Sequence, residues 1–216
     1  MRRRILGLLF AAALASRADA QTFTAKSVFL AAIGTPDYTE TFETVPVSKD
    51  TRIASFTKSG IKYTGLAGTP TLNVWVASPG YTNFGAGLNP TSSSVLTSDG
   101  NESFLLDFLT AQTAVGFDIL NNGLGPVTTQ FFNGTTLLAT ITGSGAAGLS
   151  YNGFRADPGV FITSARYTAT GGGTINTGID NVSISAAPVV ATPEPTSLLL
   201  LTTGALGALA LRRRKA

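Results

Sequence analysis

The side chains available for chemistry in this sequence are mainly carboxylates, because the chain of 216 residues contains no cysteine and no histidine. These absences exclude thiol nucleophiles, Ser-His-Asp triads, imidazole proton shuttles and zinc sites of Cys and His. Paired carboxylates could still hydrolyse a glycosidic bond. However, the spacing of the acids selects no such pair among Glu40, Glu43, Asp99, Glu102, Asp107, Asp118 and Asp157. The sequence therefore predicts a protein that is not an enzyme.

The formal charge of +3 is concentrated at the two ends of the chain. Residues 21–192 carry seven basic and ten acidic residues, a net charge of −3. Nucleic-acid binding needs a basic face on the folded domain, so no nucleic-acid partner is predicted. The one basic cluster in this region is interpreted as a solvated strand face, and it consists of Lys49, Arg52, Lys58 and Lys62.

The N-terminal end has the pattern of a secretory signal peptide. Three arginines at positions 2–4 precede an apolar run at 5–14, and Ala18-Asp19-Ala20 gives a small-x-small cleavage pattern. Residues 1–20 are therefore predicted to be a signal helix, which an export translocon inserts and signal peptidase removes before Gln21. Since the exported chain has no cysteine, core packing alone must hold its fold in an oxidising compartment.

The C-terminal end has three parts after a linker of small residues and proline at 186–192. The parts are the tripeptide Pro193-Glu194-Pro195, an apolar run at 198–211 that is predicted to be a helix, and a basic tail at 212–215. As a helix, the apolar run would reach about 21 Å, less than a hydrocarbon core of about 30 Å. The run therefore predicts a transient anchor in the inner membrane. The basic clusters place both ends on the cytoplasmic side and the residues between them outside.

This tail, residues 193–216, resembles the PEP-CTERM protein-sorting signal of Gram-negative bacteria. The resemblance implies recognition by an exosortase, a membrane transpeptidase-like enzyme, followed by removal of the tail. The protein would then be released to the cell surface or the exopolysaccharide matrix. An alternative is a plain tail anchor, which would make the chain a membrane-anchored periplasmic protein.

The central region, residues 21–185, predicts an all-β domain. One short helix at 25–32 is expected to be capped by Thr24 and to end at Gly34. Apolar residues then recur with period two, which indicates strands with one buried face. The predicted strands are 38–45, 52–57, 72–77, 103–109, 114–120, 127–132, 135–142, 160–170 and 179–185, with a type I′ turn at Asn133-Gly134. Short strands at this density predict an antiparallel β-sandwich or jelly roll between the two terminal helices.

The same region resembles β-sandwich domains that precede PEP-CTERM tails, and jelly-roll carbohydrate-binding modules. The likeness rests on three segments: Thr41-Phe42-Glu43, 114–118 and 178–184. In such modules an early acid and an aspartate of the last strand can meet at a structural calcium ion. The resemblance implies Glu43 and Asp180 as the calcium ligands here, and no other cofactor is expected.

The segment 78–94 is the longest one without strand character, and it contains Tyr81 and Phe84 among glycines. Aromatic rings on a polar loop could stack against sugar rings. The leading hypothesis is a non-enzymatic surface or extracellular-matrix protein. The alternative is a carbohydrate-binding module for the matrix polysaccharide, with Tyr81 and Phe84 as ligand-binding residues.

Overall fold

The period-two runs of the sequence form antiparallel strands around one helix in a computed structural model. The structure describes residues 19–67, 73–80, 93–98, 102–170 and 176–186. The helix is α1 (Lys26–Ile33). The strands are β1 (Gln21–Phe23), β2 (Tyr38–Glu40), β3 (Ser55–Lys58), β4 (Ile61–Ala67), β5 (Val74–Ala77), β6 (Val95–Ser98), β7 (Ser103–Asn121), β8 (Val127–Asn133), β9 (Thr136–Thr142), β10 (Gly148–Arg155), β11 (Ile162–Ala169) and β12 (Thr177–Ala186).

Strand β7 belongs to both layers of the sandwich. Its first half pairs with β4 and β11, and this layer continues to β3 on one side and to β8 and β9 on the other. Its second half pairs with β10 and β12, and this layer continues to β1, β2, β6 and β5. The predicted antiparallel β-sandwich is therefore confirmed. The two predicted terminal helices lie outside the described residues.

The prediction of two separate strands at 103–109 and 114–120 was wrong. Hydrogen bonding continues through the intervening residues, because Gln112 pairs with Ile162 of β11 and with Ala186 of β12. The intervening residues, 110–113, include neither glycine nor proline, so nothing in them interrupts an extended backbone. Gln112 is thus the point where the chain passes from one layer to the other.

The core lies between the two layers and is built from alternate residues of β7. The predicted inward faces are confirmed, since these residues share one buried cluster: Phe104, Leu106, Phe108, Val115, Phe117 and Ile119. Burying each such side chain contributes about 1.5–3 kcal/mol. Trp75 is also buried, in a smaller cluster with Ala77, Val95 and Leu120.

Helix α1 packs on β10 and β7 through Phe29, which is fully buried between Phe23 and Tyr151. Its predicted end at Gly34 is confirmed, because that residue has a φ of 79°. The predicted Thr24 cap was wrong. Ala25 occupies the N-cap position and offers no side-chain hydrogen bond.

Several strand limits differ from the prediction because residues with positive φ end the strands. Strand β2 stops at Glu40, since Phe42 has a φ of 57°. Strands β3 and β4 join at Ser59-Gly60, where φ values of 53° and 75° fit a type I′ turn. Strands β1, β4, β6 and β10 were not predicted.

The turn between β8 and β9 is one residue later than predicted. Asn133 pairs with Thr136, so Gly134 and Thr135 form the two-residue loop. Gly134 alone of these has a positive φ, 56°, which fits a type II′ turn. The predicted I′ turn was wrong, although the hairpin itself is confirmed.

Within the described ranges, no helix is long and apolar enough to cross a membrane.

Candidate functional site

The predicted pair Glu43 and Asp180 lies in a polar cluster beside α1 that we call the acid–serine network. Its other members are Ser93, Ser94, Asp118 and Asn181, with Lys26 and Lys49 at its two ends. The strand register brings two of its acids together, because Asp118 of β7 stands directly opposite Asp180 of β12.

A bulge in β12 adds an amide to this pair of acids. The β12 register shifts after Asp180, and Asn181 takes a φ of 51°. Its Nδ2 donates to Asp118 Oδ2 at 2.8 Å, and its backbone N–H donates to Asp180 Oδ1 at 2.6 Å. Lys26 Nζ lies 2.6 Å from Asp118 Oδ2, so α1 supplies the balancing charge for Asp118.

Two adjacent serines connect Glu43 to Asp180. Ser94 donates its backbone N–H to Glu43 Oε1 at 2.8 Å and its hydroxyl to Oε2 at 3.2 Å. The hydroxyl of Ser93 donates to Asp180 Oδ2. Lys49 Nζ lies 3.5 Å from Glu43 Oε2. The structure thus brings Glu43 and Asp180 into contact with two adjacent residues of one short segment, Ser94 and Ser93.

The pKa values of Glu43 and Asp180 move in opposite directions. Burial raises the pKa of Asp180, against the stabilising hydrogen bonds from Ser93 and Asn181, and the negative charges of Asp118 and Glu43 raise it further. The hydrogen bond from the Ser94 backbone is the main cause of a lowered pKa at Glu43, and Lys49 lowers it as well. Relative to an ordinary carboxyl, the surroundings of Asp180 therefore disfavour its ionised form, and those of Glu43 favour it.

Among the residues that the structure describes, no group of three or more Asp, Glu, Cys or His side chains could hold a metal ion. Calcium takes six to eight oxygen ligands. Glu43 and Asp180 would therefore need hydroxyl, carbonyl or water oxygens to complete a shell. The calcium site at these two residues stays a prediction.

Sequence reasoning missed the role of Glu40, which is 1% exposed. Its carboxylate accepts hydrogen bonds from the Phe42 N–H at 2.7 Å, the Tyr38 hydroxyl at 3.0 Å and the Ser59 hydroxyl at 3.2 Å. Lys58 Nζ lies 3.1 Å from Glu40 Oε1. A buried acid with four partners is a structural centre, and two of these partners are in the Ser59 turn and its preceding strand. The dipeptide Ser59-Gly60 is a turn signal in the sequence, and it could have pointed to this turn beside Glu40.

The other predicted site residues fall near or beyond the limits of the described chain. Ala20 and Gln21, at the predicted signal cleavage point, are described. The Ala20 N–H donates to Asp157, and Gln21 begins β1. Ala18, Tyr81 and Phe84 lie outside the described residues, as do Pro193, Glu194 and Pro195.

Comparison with known protein families gives one match, at the end of the chain. Residues 191–215 match the model of the PEP-CTERM protein-sorting motif. The chain carries a PEP-CTERM sorting motif. This match confirms the resemblance of the tail to the PEP-CTERM sorting signal. The assignment of Pro193, Glu194 and Pro195 as the sorting residues stays a prediction. A PEP-CTERM motif implies export with exosortase processing, and a cell-surface or extracellular location.

No curated protein matches the chain. Among solved structures, a mutant of a family 29 carbohydrate binding module is similar at 16% identity and a TM-score of 0.33, covering 62% of this chain and 98% of that one. A second family 29 module is similar at 15% identity and a TM-score of 0.30, covering 58% of this chain and 90% of that one.

Proposed function

We propose that this chain is an exported, non-enzymatic protein of the cell surface or extracellular matrix, and that an exosortase cleaves it at its PEP-CTERM motif. The motif at 191–215 is the observation that carries the proposal. Signal peptidase and the export translocon act first, on residues 1–20. The tail then holds the chain in the inner membrane until the exosortase removes it.

The folded domain suits this route because its stability does not depend on disulfides. The chain has no cysteine, and its core contains large side chains that are fully buried, among them Phe104, Phe117 and Tyr167. Such a domain can fold after export without an oxidant. Residues 21–192 carry a net charge of −3, which does not favour retention on anionic lipid.

The test is intact mass and peptide mapping of the protein from the culture medium and envelope of its host. We expect the released form to begin at Gln21 and to lack everything beyond about Pro195. The triple variant P193A/E194A/P195A should stay in the envelope with its C-terminus intact. P188A is the matched control in the linker, and its processing should equal that of the wild type.

Two results would overturn the proposal. One is a triple variant that is processed and released like the wild type. The other is a wild-type chain found only in membranes and ending at Ala216, which would make the tail a permanent anchor and the chain a membrane-anchored periplasmic protein.

The alternative function is a carbohydrate-binding module for the matrix polysaccharide. It depends on Tyr81 and Phe84, which stay predicted ligand-binding residues. A glycan-binding assay with the wild type and the variant Y81A/F84A tests this dependence. Saturable binding that the variant loses would support it, and binding that the variant keeps would exclude these two residues.

A further inference from the structure

A cleft of about 310 Å³ opens between the two layers, at the side where β8 and β9 face β10. We call it the side cleft. Its lining comes from both layers, and besides Tyr151 and small or apolar residues it includes the polar residues Thr24, Asn121, Thr142, Ser144, Ser150 and Asn152. The acid–serine network contributes no residue to it.

The lining of the side cleft contains hydroxyls and carboxamides but no acidic or basic residue. Hydroxyls and carboxamides both donate and accept hydrogen bonds. A ligand that carries a charge would find no counterion here, whereas a ligand that carries several hydroxyl groups would find partners of both kinds. The chemistry of the lining therefore selects a neutral, polyhydroxylated ligand.

The floor of the cleft is a polar contact between the layers. Asn152 of β10 is 3% exposed, and its Nδ2 donates to the hydroxyl of Thr129 of β8 at 2.9 Å. In the described part of the chain, no hydrogen bond reaches the carbonyl oxygen of the Asn152 side chain. This oxygen is an acceptor fixed by the Thr129 contact, so a ligand hydroxyl can donate to it without reorganisation of the protein.

The backbone of β10 adds further groups at the cleft. Strand β1 covers one edge of β10 only at residues 153–155. The edge from residue 148 to 152 has no strand partner on that side within the described residues. Its N–H and C=O groups are therefore available to a ligand that also contacts Ser150 and Asn152.

The rim of the cleft carries an apolar side chain, Leu149, which is 76% exposed. A sugar ring presents an apolar C–H face together with hydroxyls at its edge, so it can cover Leu149 while its hydroxyls reach the polar lining. The volume of about 310 Å³ is at the lower limit for small-molecule sites, which run from about 300 to 1,000 Å³. This size fits one sugar unit better than a peptide strand.

From these observations we propose that the side cleft binds one neutral sugar unit, held by Asn152, Ser150 and Thr142 with Leu149 against the ring. The site is separate from the Tyr81 and Phe84 segment, and it does not depend on how the tail is sorted.

The test is ligand-observed saturation-transfer NMR on the protein purified from whichever fraction of its host contains it, medium or envelope. The probes are D-glucose, D-galactose, D-mannose and N-acetyl-D-glucosamine, with D-glucuronate as the charged counterpart. We expect saturable binding of at least one neutral sugar with a Kd on the order of 1 mM, as suits a small and open site. D-Glucuronate should bind more weakly than D-glucose.

Ser150 and Thr142 are exposed positions on opposite sides of the cleft. A large side chain at either position would fill it. The variants S150Y and T142Y should each weaken sugar binding about tenfold or more. S55Y, at an exposed position of β3 in another part of the sandwich, is the matched control and should bind like the wild type. The melting temperatures of all three establish that each is folded.

The proposal is overturned if none of the four neutral sugars binds saturably. It is also overturned if S150Y and T142Y, once shown to be folded, bind as tightly as S55Y. Displacement of the bound sugar by an uncharged extended peptide but not by a second sugar would assign the cleft to strand addition instead. None of these outcomes depends on the mass of the C-terminus, so failure of this site and failure of the sorting proposal are distinguishable.

Discussion

At the scale of single residues, two buried carboxylates of this domain have different surroundings. Glu40 is 1% exposed and has Lys58 as a cationic partner, besides its hydrogen bonds to Phe42, Tyr38 and Ser59. Asp180 is 5% exposed and faces Asp118 across the register. The sequence could not predict the partners that come from distant segments, which are Lys58 and Ser59 for Glu40 and Ser93 and Asp118 for Asp180.

Replacement of Glu40 tests its role as a structural centre. The variant E40A leaves the buried Phe42 N–H without its acceptor, and it leaves the partly exposed Lys58 ammonium with the Thr44 hydroxyl as its remaining partner. It should lower the free energy of unfolding by about 1–3 kcal/mol. E40Q keeps one acceptor and should lose less. Urea unfolding measures both, with E43A as the control at a more exposed acid. Equal stability of E40A and the control would contradict this role.

Asp180 should make stability depend on pH. Because its folded pKa is raised above the ordinary value of about 3.9, its contribution to stability is fully present below that pH and is lost as the pH rises through the folded pKa. The amide of the variant D180N does not titrate, so this variant does not lose stability in this way as the pH rises. The stability of D180N relative to the wild type should therefore increase between pH 4 and pH 7, as measured by urea unfolding in chelator. Parallel pH profiles would show that Asp180 is not the group responsible.

Calcium addition tests the site predicted at Glu43 and Asp180. If these carboxylates hold the ion, calcium raises the melting temperature of the wild type and leaves that of D180N unchanged, since the variant loses one ligand charge. Magnesium is the control, because it requires tighter octahedral geometry. A wild-type melting temperature that calcium does not change would reject the site.

At the scale of elements, the contact of α1 with the sheet depends on two glycines. A Cβ added at Gly116 of β7 would lie 2.1 Å from the Tyr151 hydroxyl, and one at Gly153 of β10 would lie 2.8 Å from the Phe29 ring. The absence of these two side chains leaves the space in which Tyr151 and Phe29 pack.

The variant G116A should therefore lower the free energy of unfolding by about 1–3 kcal/mol, because Tyr151 must move from its packed position. G143A is the control, since its nearest contact would be an ordinary 3.7 Å. The double variant G116A/Y151F should recover part of the loss, because Y151F removes the hydroxyl that clashes. Denaturant unfolding of the three variants gives the comparison, and a G116A variant as stable as G143A would contradict the packing argument.

Elements were predictable where a local signal decides them, and unpredictable where a distant partner does. The end of α1 follows from Gly34, and the β8–β9 hairpin follows from the alternation around Gly134. The continuity of β7 depends instead on what Gln112 meets in β11 and β12, which sequence periodicity does not contain. The same holds for the bond from Ser94 to Glu43, which joins positions 51 residues apart.

At the scale of the whole molecule, the core encloses three of the five tyrosines. Burial raises the pKa of Tyr63, Tyr151 and Tyr167 well above the ordinary value, and only Tyr167 has an opposing hydrogen bond, from Thr177, among the causes. Their phenols favour the neutral form in the folded state.

Alkaline pH should therefore unfold the domain cooperatively. A tyrosine whose folded pKa is raised contributes stability that is fully present below its unfolded pKa of about 10 and is lost as the pH rises toward the folded value. Tyrosinate absorbance from these three residues should appear together with the loss of circular dichroism. Y167F should shift this transition to higher pH. Tyrosinate absorbance from all five residues before unfolding would contradict the burial argument.

The position of β12 determines the order of events during export. This last strand lies inside its layer, between β7 on one side and β2 and β6 on the other, so the layer is incomplete until Ala186 has emerged. Only six residues separate Ala186 from Pro193, which limits the reach to on the order of 20 Å. The domain therefore completes its fold only when the chain has been exported almost up to the PEP-CTERM motif. On the proposed sorting route, an exosortase that acts near Pro193 would work beside a finished sandwich.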